Sequence, residues 1–199
     1  MYGIKEGEYL VKLARQTIEG YLRDKRMPKV KDVPEKLKEK AGVFVTLETY
    51  PAKNLRGCIG YPEPVLPLVE ALCKAAVSAA TQDPRFPPLL PTELGSIIIE
   101  VSVLTKPELI KASPKEYPKE IVIGRHGLIA ERGLNRGLLL PQVAVDEKWS
   151  KEEFLSHTCM KAGLLPDAWL QSGTKIYRFE GIVFTEVSPN GKIVERKLE

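Results

Sequence analysis

Between Val43 and Tyr61 the chain carries two β-rich runs joined by one short connection, a pattern that confines it to folds containing an antiparallel hairpin. Val43–Thr49 is the first run, Tyr50-Pro51-Ala52-Lys53-Asn54 the connection, and Leu55–Tyr61 the returning strand. The two-residue period of a strand puts Arg56, Cys58 and Gly60 on one face, and Leu55, Gly57 and Ile59 on the other. A thiol is thereby held in a fixed direction between two glycines and near a guanidinium. An arginine near a cysteine can lower the thiol pKa and favour the thiolate. The same guanidinium fork also suits a carboxylate or a phosphate. The stretch is a candidate site that does not name its reaction.

The remaining pattern mixes helices and strands. Leu10, Val11, Ala14, Ile18, Tyr21 and Leu22 recur at helical spacing, which predicts a helix over Glu8–Lys25 that Met27-Pro28 ends. A short helix is expected over Pro34–Lys40, and a buried one rich in Leu, Val and Ala over Leu66–Gln82. The turn Asp83-Pro84-Arg85-Phe86-Pro87-Pro88 is stiffened by its prolines and presents Arg85 and Phe86 with little freedom. Ile97–Leu104 is the longest clear strand. Its Ile97, Ile99, Val101 and Val103 face is apolar, and the mixed Ile98, Glu100, Ser102 and Leu104 face is expected to be half-buried. Prolines break residues 107–120. Short strands are expected at Ile121–Gly124 and Leu128–Glu131 around an Arg125-His126-Gly127 turn. Gly133–Gly137 reads as a turn, and Ser150 with Glu153 opens a capped helix that Gly163 stops. Lys175–Val187 reads as a strand interrupted near Gly181. These elements predict an α+β fold of mainly antiparallel sheets with packed helices. The expected division is a larger subdomain over 1–114, completed by 174–199, and a smaller one over 115–173.

Composition narrows the function classes. A chain of 199 residues, 43% hydrophobic and 28% charged, has the make-up of a globular protein. No apolar run approaches the ~20 residues that cross a bilayer, and the start has no basic-then-apolar leader, so no membrane association is expected. Three cysteines form no closed disulfide framework, which fits a reducing compartment and a cytoplasmic location. The net charge of +4 is modest. The most basic run, Arg23 to Lys31, lacks interleaved aromatics, so nucleic acid is not an expected partner. His157 and Cys159 point about 200° apart on a helix and do not chelate one ion. With no Cys-x-x-Cys, P-loop or Gly-x-Gly-x-x-Gly pattern, neither metal nor cofactor is expected.

Several segments together resemble a known family. Leu55-Arg56-Gly57-Cys58-Ile59-Gly60 matches the hallmark of the AMMECR1-domain proteins, here their small prokaryotic members. Asp83-Pro84-Arg85-Phe86, Glu100–Leu104, Gly124–Leu128, Leu139–Val143 and Cys159–Leu164 follow in family order. The resemblance implies an α+β fold with a larger and a smaller subdomain. It also implies a functional link to a Memo-like protein and a radical S-adenosylmethionine protein, which indicates a shared pathway but no chemistry for this chain.

Each candidate residue has a functional and a structural reading. Cys58 is either a nucleophilic or redox thiol or a small residue chosen for tight packing on a sheet. His126 is the candidate base, or a turn residue that hydrogen-bonds the backbone. Arg56 and Arg85 either clamp a carboxylate or phosphate, with Gly57, Gly60 and Phe86 around them, or anchor loops. The expectation is that Arg56, Cys58 and Arg85, with His126 as a further candidate, border one groove between the parts. It would serve a binding or accessory domain for a small anionic ligand or protein partner, the family pointing to a Memo-like one. The alternative is a cysteine-dependent enzyme acting on a small anionic or protein-derived substrate.

Overall fold

The structure is a computed structural model that describes residues 2–28, 30 and 32–196; Lys29 and Lys31 of the basic run, and the last three residues of the expected 174–199 segment, lie outside them. The chain divides into two units, one up to Leu104 and rejoined by Ile182–Arg196, the other Thr105–Gly181. Both combine helices with antiparallel strands. Among the described residues no helix is long and apolar enough to cross a membrane.

In the first unit, α1 (Ile4–Asp24) buries Leu10, Val11, Ala14, Ile18 and Leu22, one stripe at three- and four-residue spacing. It stops where Lys25 turns left-handed at φ 55° and its N–H reaches the carbonyl of Tyr21. β1 (Gly42–Thr49) lies between β2 (Leu55–Tyr61) and β3 (Ile97–Leu104), antiparallel to both. The hairpin expected from sequence is therefore present. Val43, Val45 and Leu47 share the core with Val101, Val103, α1 and α2 (Leu68–Thr81). The alanines of α2 let it approach closely. A Cβ on Gly57 would sit 2.2 Å from the carbonyl oxygen of Ala79. The expected Pro34–Lys40 helix is a single 3-10 turn, Glu35–Lys38.

β3 departs from expectation, for all eight of its residues are buried. Glu100 tolerates this because Arg196, on β8 (Ile193–Arg196), reaches its carboxylate at 3.1 Å. The deepest polar lock joins α1 to β7 (Lys175–Glu186). Arg15 donates to Glu186 through Nε (2.6 Å) and Nη2 (2.5 Å) and also to the carbonyls of Leu94 and Ile97. Glu186 further accepts the N–H of Ile99 at 2.9 Å. A buried carboxylate and guanidinium thus satisfy one another and two chain segments at once.

In the second unit β5 (His126–Arg132) pairs with β6 (Asn135–Leu139) and with the first half of β7, while β4 (Glu108–Leu109) pairs with the other edge of β7. The turn expected over Gly133–Gly137 is a two-residue hairpin loop, with Gly133 at φ 59°. After the short helix α3 (Pro141–Asp146), α4 (Lys151–Lys161) starts at Ser150, whose Oγ accepts the N–H of Glu153 while Glu153 accepts the N–H of Ser150. Phe154, Leu155 and Cys159 of α4 face Leu128, Ala130 and Ile176. Burial pushes the Cys159 thiol up to about 11. His157 stacks on Trp149 at 3.9 Å.

Two local readings are corrected. Ile121–Gly124 is not a strand. The Val122 carbonyl accepts the N–H groups of Arg125 and His126, so the chain turns there, with Gly124 at φ 80°. His126 is accordingly the first residue of β5 rather than part of the turn. β7 also runs without a break through Gly181; what changes there is its neighbour, since pairing with β5 ends at Glu180 and pairing with β8 begins at Val183.

Candidate functional site

The hallmark strand presents Cys58 on the sheet face opposite the helices. By register Thr46 lies between Cys58 on β2 and Glu100 on β3. Thr46 Oγ1 donates to Cys58 Sγ at 3.3 Å, and the thiol is partly exposed. Glu100 lies two strand spacings away, roughly 10 Å, too far for direct proton transfer. On the same face the Ser102 hydroxyl is buried without a hydrogen-bond partner among the described residues. Gly60 accommodates an aromatic ring, since a Cβ there would meet the Phe44 ring at 2.4 Å. Gly57 and Gly60 are therefore accounted for by close packing.

The two arginines are held by carboxylates. Arg56 closes its fork on Glu93, Nε to Oε1 at 2.9 Å and Nη2 to Oε2 at 3.1 Å, and Nη1 reaches the Pro87 carbonyl. Arg85 does the same on Asp83, Nε at 3.0 Å and Nη2 at 2.7 Å, and Nη2 also reaches the Cys58 carbonyl at 3.4 Å. Asp83 is buried and accepts the N–H of Cys58 at 2.8 Å and that of Arg85 at 3.1 Å. It fastens the turn to the hallmark strand. The Phe86 ring lies against both guanidinium groups, 6.0 Å from Arg56 and 5.6 Å from Arg85.

These contacts set the charges. The Arg85 guanidinium, with the N–H groups of Cys58 and Arg85, holds the Asp83 carboxyl far below its usual range against the opposing effect of burial. The Arg56 pair lowers Glu93 likewise. Burial pushes the Cys58 thiol up; Thr46 and Arg85 pull the other way, while Asp83 and Glu100 add to the rise. Arg85, the cation that pulls the thiol down, is paired with Asp83, and burial outweighs it. Burial raises Glu100 against the pull of Arg196.

Arg56, Gly57, Cys58, Gly60, Arg85 and Phe86 all belong to the first unit, whereas His126 belongs to the second. His126 is buried, its Nδ1 accepts the N–H of Val122 at 3.2 Å, and burial followed by the charge of Arg178 lowers its pKa. Sequence reasoning passed over Asp83, Glu93 and Thr46. Asp83 had a local signal, an Asx turn in which the side chain caps the N–H two residues on. Glu93 and Thr46 had none, because their partners are set by sheet register and by a turn 37 residues from Arg56.

The sequence profile described as AMMECR1 matches residues 11–184. The chain is 57% identical to protein MJ0810 of Methanocaldococcus jannaschii over 196 residues, 98% of this chain and 97% of that one. It is 54% identical to protein PF1979 of Pyrococcus furiosus over 204 residues, 100% of this chain and 97% of that one. The crystal structure of the Pyrococcus horikoshii protein PH0010 superposes with a TM-score of 0.89 at 52% identity, covering 96% of this chain and 97% of that chain. The names of these three relatives specify no reaction.

Proposed function

Because the chain belongs to the AMMECR1 family, we propose that it is a binding or accessory domain whose recognition surface surrounds Cys58, Arg85 and Phe86. The observation that carries this reading is the closure of both arginine forks on Asp83 and Glu93 beside a thiol raised by burial. A nucleophile needs a base within reach and a low pKa; a recognition surface needs side chains locked in place before the partner arrives. The second description fits. Arg85 is exposed and its Nη1 makes no hydrogen bond among the described residues, so it offers a donor to a carboxylate or a carbonyl. The proposed ligand is a small anion or the acceptor groups of a protein, with a Memo-like protein as the first candidate from the family resemblance.

The test is capture of a Memo-like protein from the same organism by the purified chain, read by biolayer interferometry. Arg85→Ala is expected to weaken capture about tenfold, and Cys58→Ser to leave it within about threefold. Arg85→Lys is expected to fall between wild type and Arg85→Ala, since it keeps charge and loses the fork. Alkylation followed against pH is expected to place the Cys58 thiol above the ordinary ~8.5. A thiol titrating below that value, with labelling abolished in Cys58→Ser, would replace this reading with the cysteine enzyme.

A further inference from the structure

The second unit contains a polar cleft of about 510 Å3, walled in part by Lys106, Glu108, Arg125, His126, Arg178 and Glu180. We propose that this cleft binds a small oxyanion, a carboxylate or phosphate group, held by Lys106, Arg178 and the Nε2–H of His126.

The strand register builds the wall. His126 on β5 lies opposite Glu180 on β7, and Glu108 on β4 lies opposite Arg178 on β7. Arg178 and Glu180, two residues apart, share a face with both partners. Thr105 exchanges hydrogen bonds with the backbone of Glu180 and so fixes the chain just before Lys106. On Gly127 a Cβ would meet the Phe179 ring at 2.2 Å, so this ring packs directly on the strand that starts at His126.

Donors outnumber acceptors in that wall. Nδ1 of His126 takes the Val122 N–H, so the proton of the neutral ring sits on Nε2. Nε2 is 4.0 Å from Glu180 Oε1, beyond a hydrogen bond, and that oxygen already accepts Nε (2.8 Å) and lies 2.7 Å from Nη2 of Arg125. Apart from the hydrogen bond of the ring with the backbone of Glu120, no acceptor for the Nε2–H is found among the described residues, so it is offered to a guest. Among the described residues Arg178 bonds only through Nη1, to the carbonyl and carboxylate of Glu120, which leaves Nε and Nη2. Lys106 is exposed and has no ion pair among the described residues. Glu180 is neutralised by Arg125, and Glu108 is the one wall carboxylate that an anion would meet unscreened. The volume falls in the range of small-molecule sites, roughly 300–1,000 Å3. None of these residues belongs to the surface around Cys58, so the two proposals stand or fall separately.

The experiment titrates the intact protein with inorganic phosphate and, separately, with acetate at constant ionic strength, using chloride as the control and the imidazole NMR signals of His126 as readout. A saturable shift with phosphate or acetate but not chloride is expected, together with a rise in the His126 pKa as the anion approaches. The tighter of the two identifies a phosphate or a carboxylate ligand. Lys106→Ala should weaken the response about tenfold, and Glu108→Gln, which removes a like charge, should strengthen it. Both substitutions are at exposed positions, so a wild-type-like spectrum elsewhere is the check on folding. Absence of saturation with both anions, the same response to chloride, or unchanged affinity in Lys106→Ala overturns the proposal.

Discussion

Asp83 gathers two backbone N–H groups and the Arg85 fork on one buried carboxylate, and it is the residue whose loss is felt first. Asp83→Asn is expected to cost about 2 kcal/mol in urea unfolding at pH 7, because donors arranged for an anion meet a neutral amide. The sign of its pH dependence follows from its lowered pKa. Its contribution is present above the unfolded value, near ~3.9, and is lost as pH falls through the folded one. Glu100 behaves oppositely. Its raised pKa favours the fold below the unfolded value, near ~4.3, and that contribution fades as pH rises through the folded value. Glu100→Gln should therefore flatten the loss of stability as pH rises above the unfolded value; an unchanged slope would show that Glu100 does not titrate as its burial implies. At this scale the positions of Arg56, Cys58 and Arg85 were legible in the chain, but their environment was not. A guanidinium two residues from a thiol reads as an activator until Glu93 and Asp83 are seen to claim both arginines.

Elements were legible where their causes are local. The β1–β2 hairpin follows from two alternating runs and one connection, and α4 follows from Ser150 and Glu153 before an apolar stripe. Ser150→Ala should remove the cap and lower stability by about 1 kcal/mol, measurable as a fall in the denaturation midpoint. Elements whose causes are distant were not legible. The mixed face of β3 is buried because of what lies over it, and a strand's own alternation carries no record of that. The three β-branched residues Ile121, Val122 and Ile123 look like a strand, yet the turn is decided by Val122 accepting two N–H groups and by the left-handed Gly124. β4 and β8, two and four residues long, are too short for a period to show.

For the whole molecule, the pairing of Arg15 with Glu186 spans 171 residues of sequence. Glu186→Gln should cost about 3–5 kcal/mol by leaving the Arg15 charge buried without a counter-charge, whereas Arg15→Met combined with Glu186→Leu should recover much of that loss. Denaturant unfolding of Arg15→Met, Glu186→Leu and the double variant completes the cycle, and additive losses would mean that the pair is not coupled. The same long separation governs synthesis. A ribosome delivers α1 and the first three strands, then all of residues 105–181, before Glu186 and β8 emerge. At ordinary elongation rates Arg15 waits on the order of ten seconds for its counter-ion. During that interval a nascent chain holds its first-made part unfinished and open to chaperones, and translation of the final fifteen residues of that unit, Ile182–Arg196, is the event that lets it close.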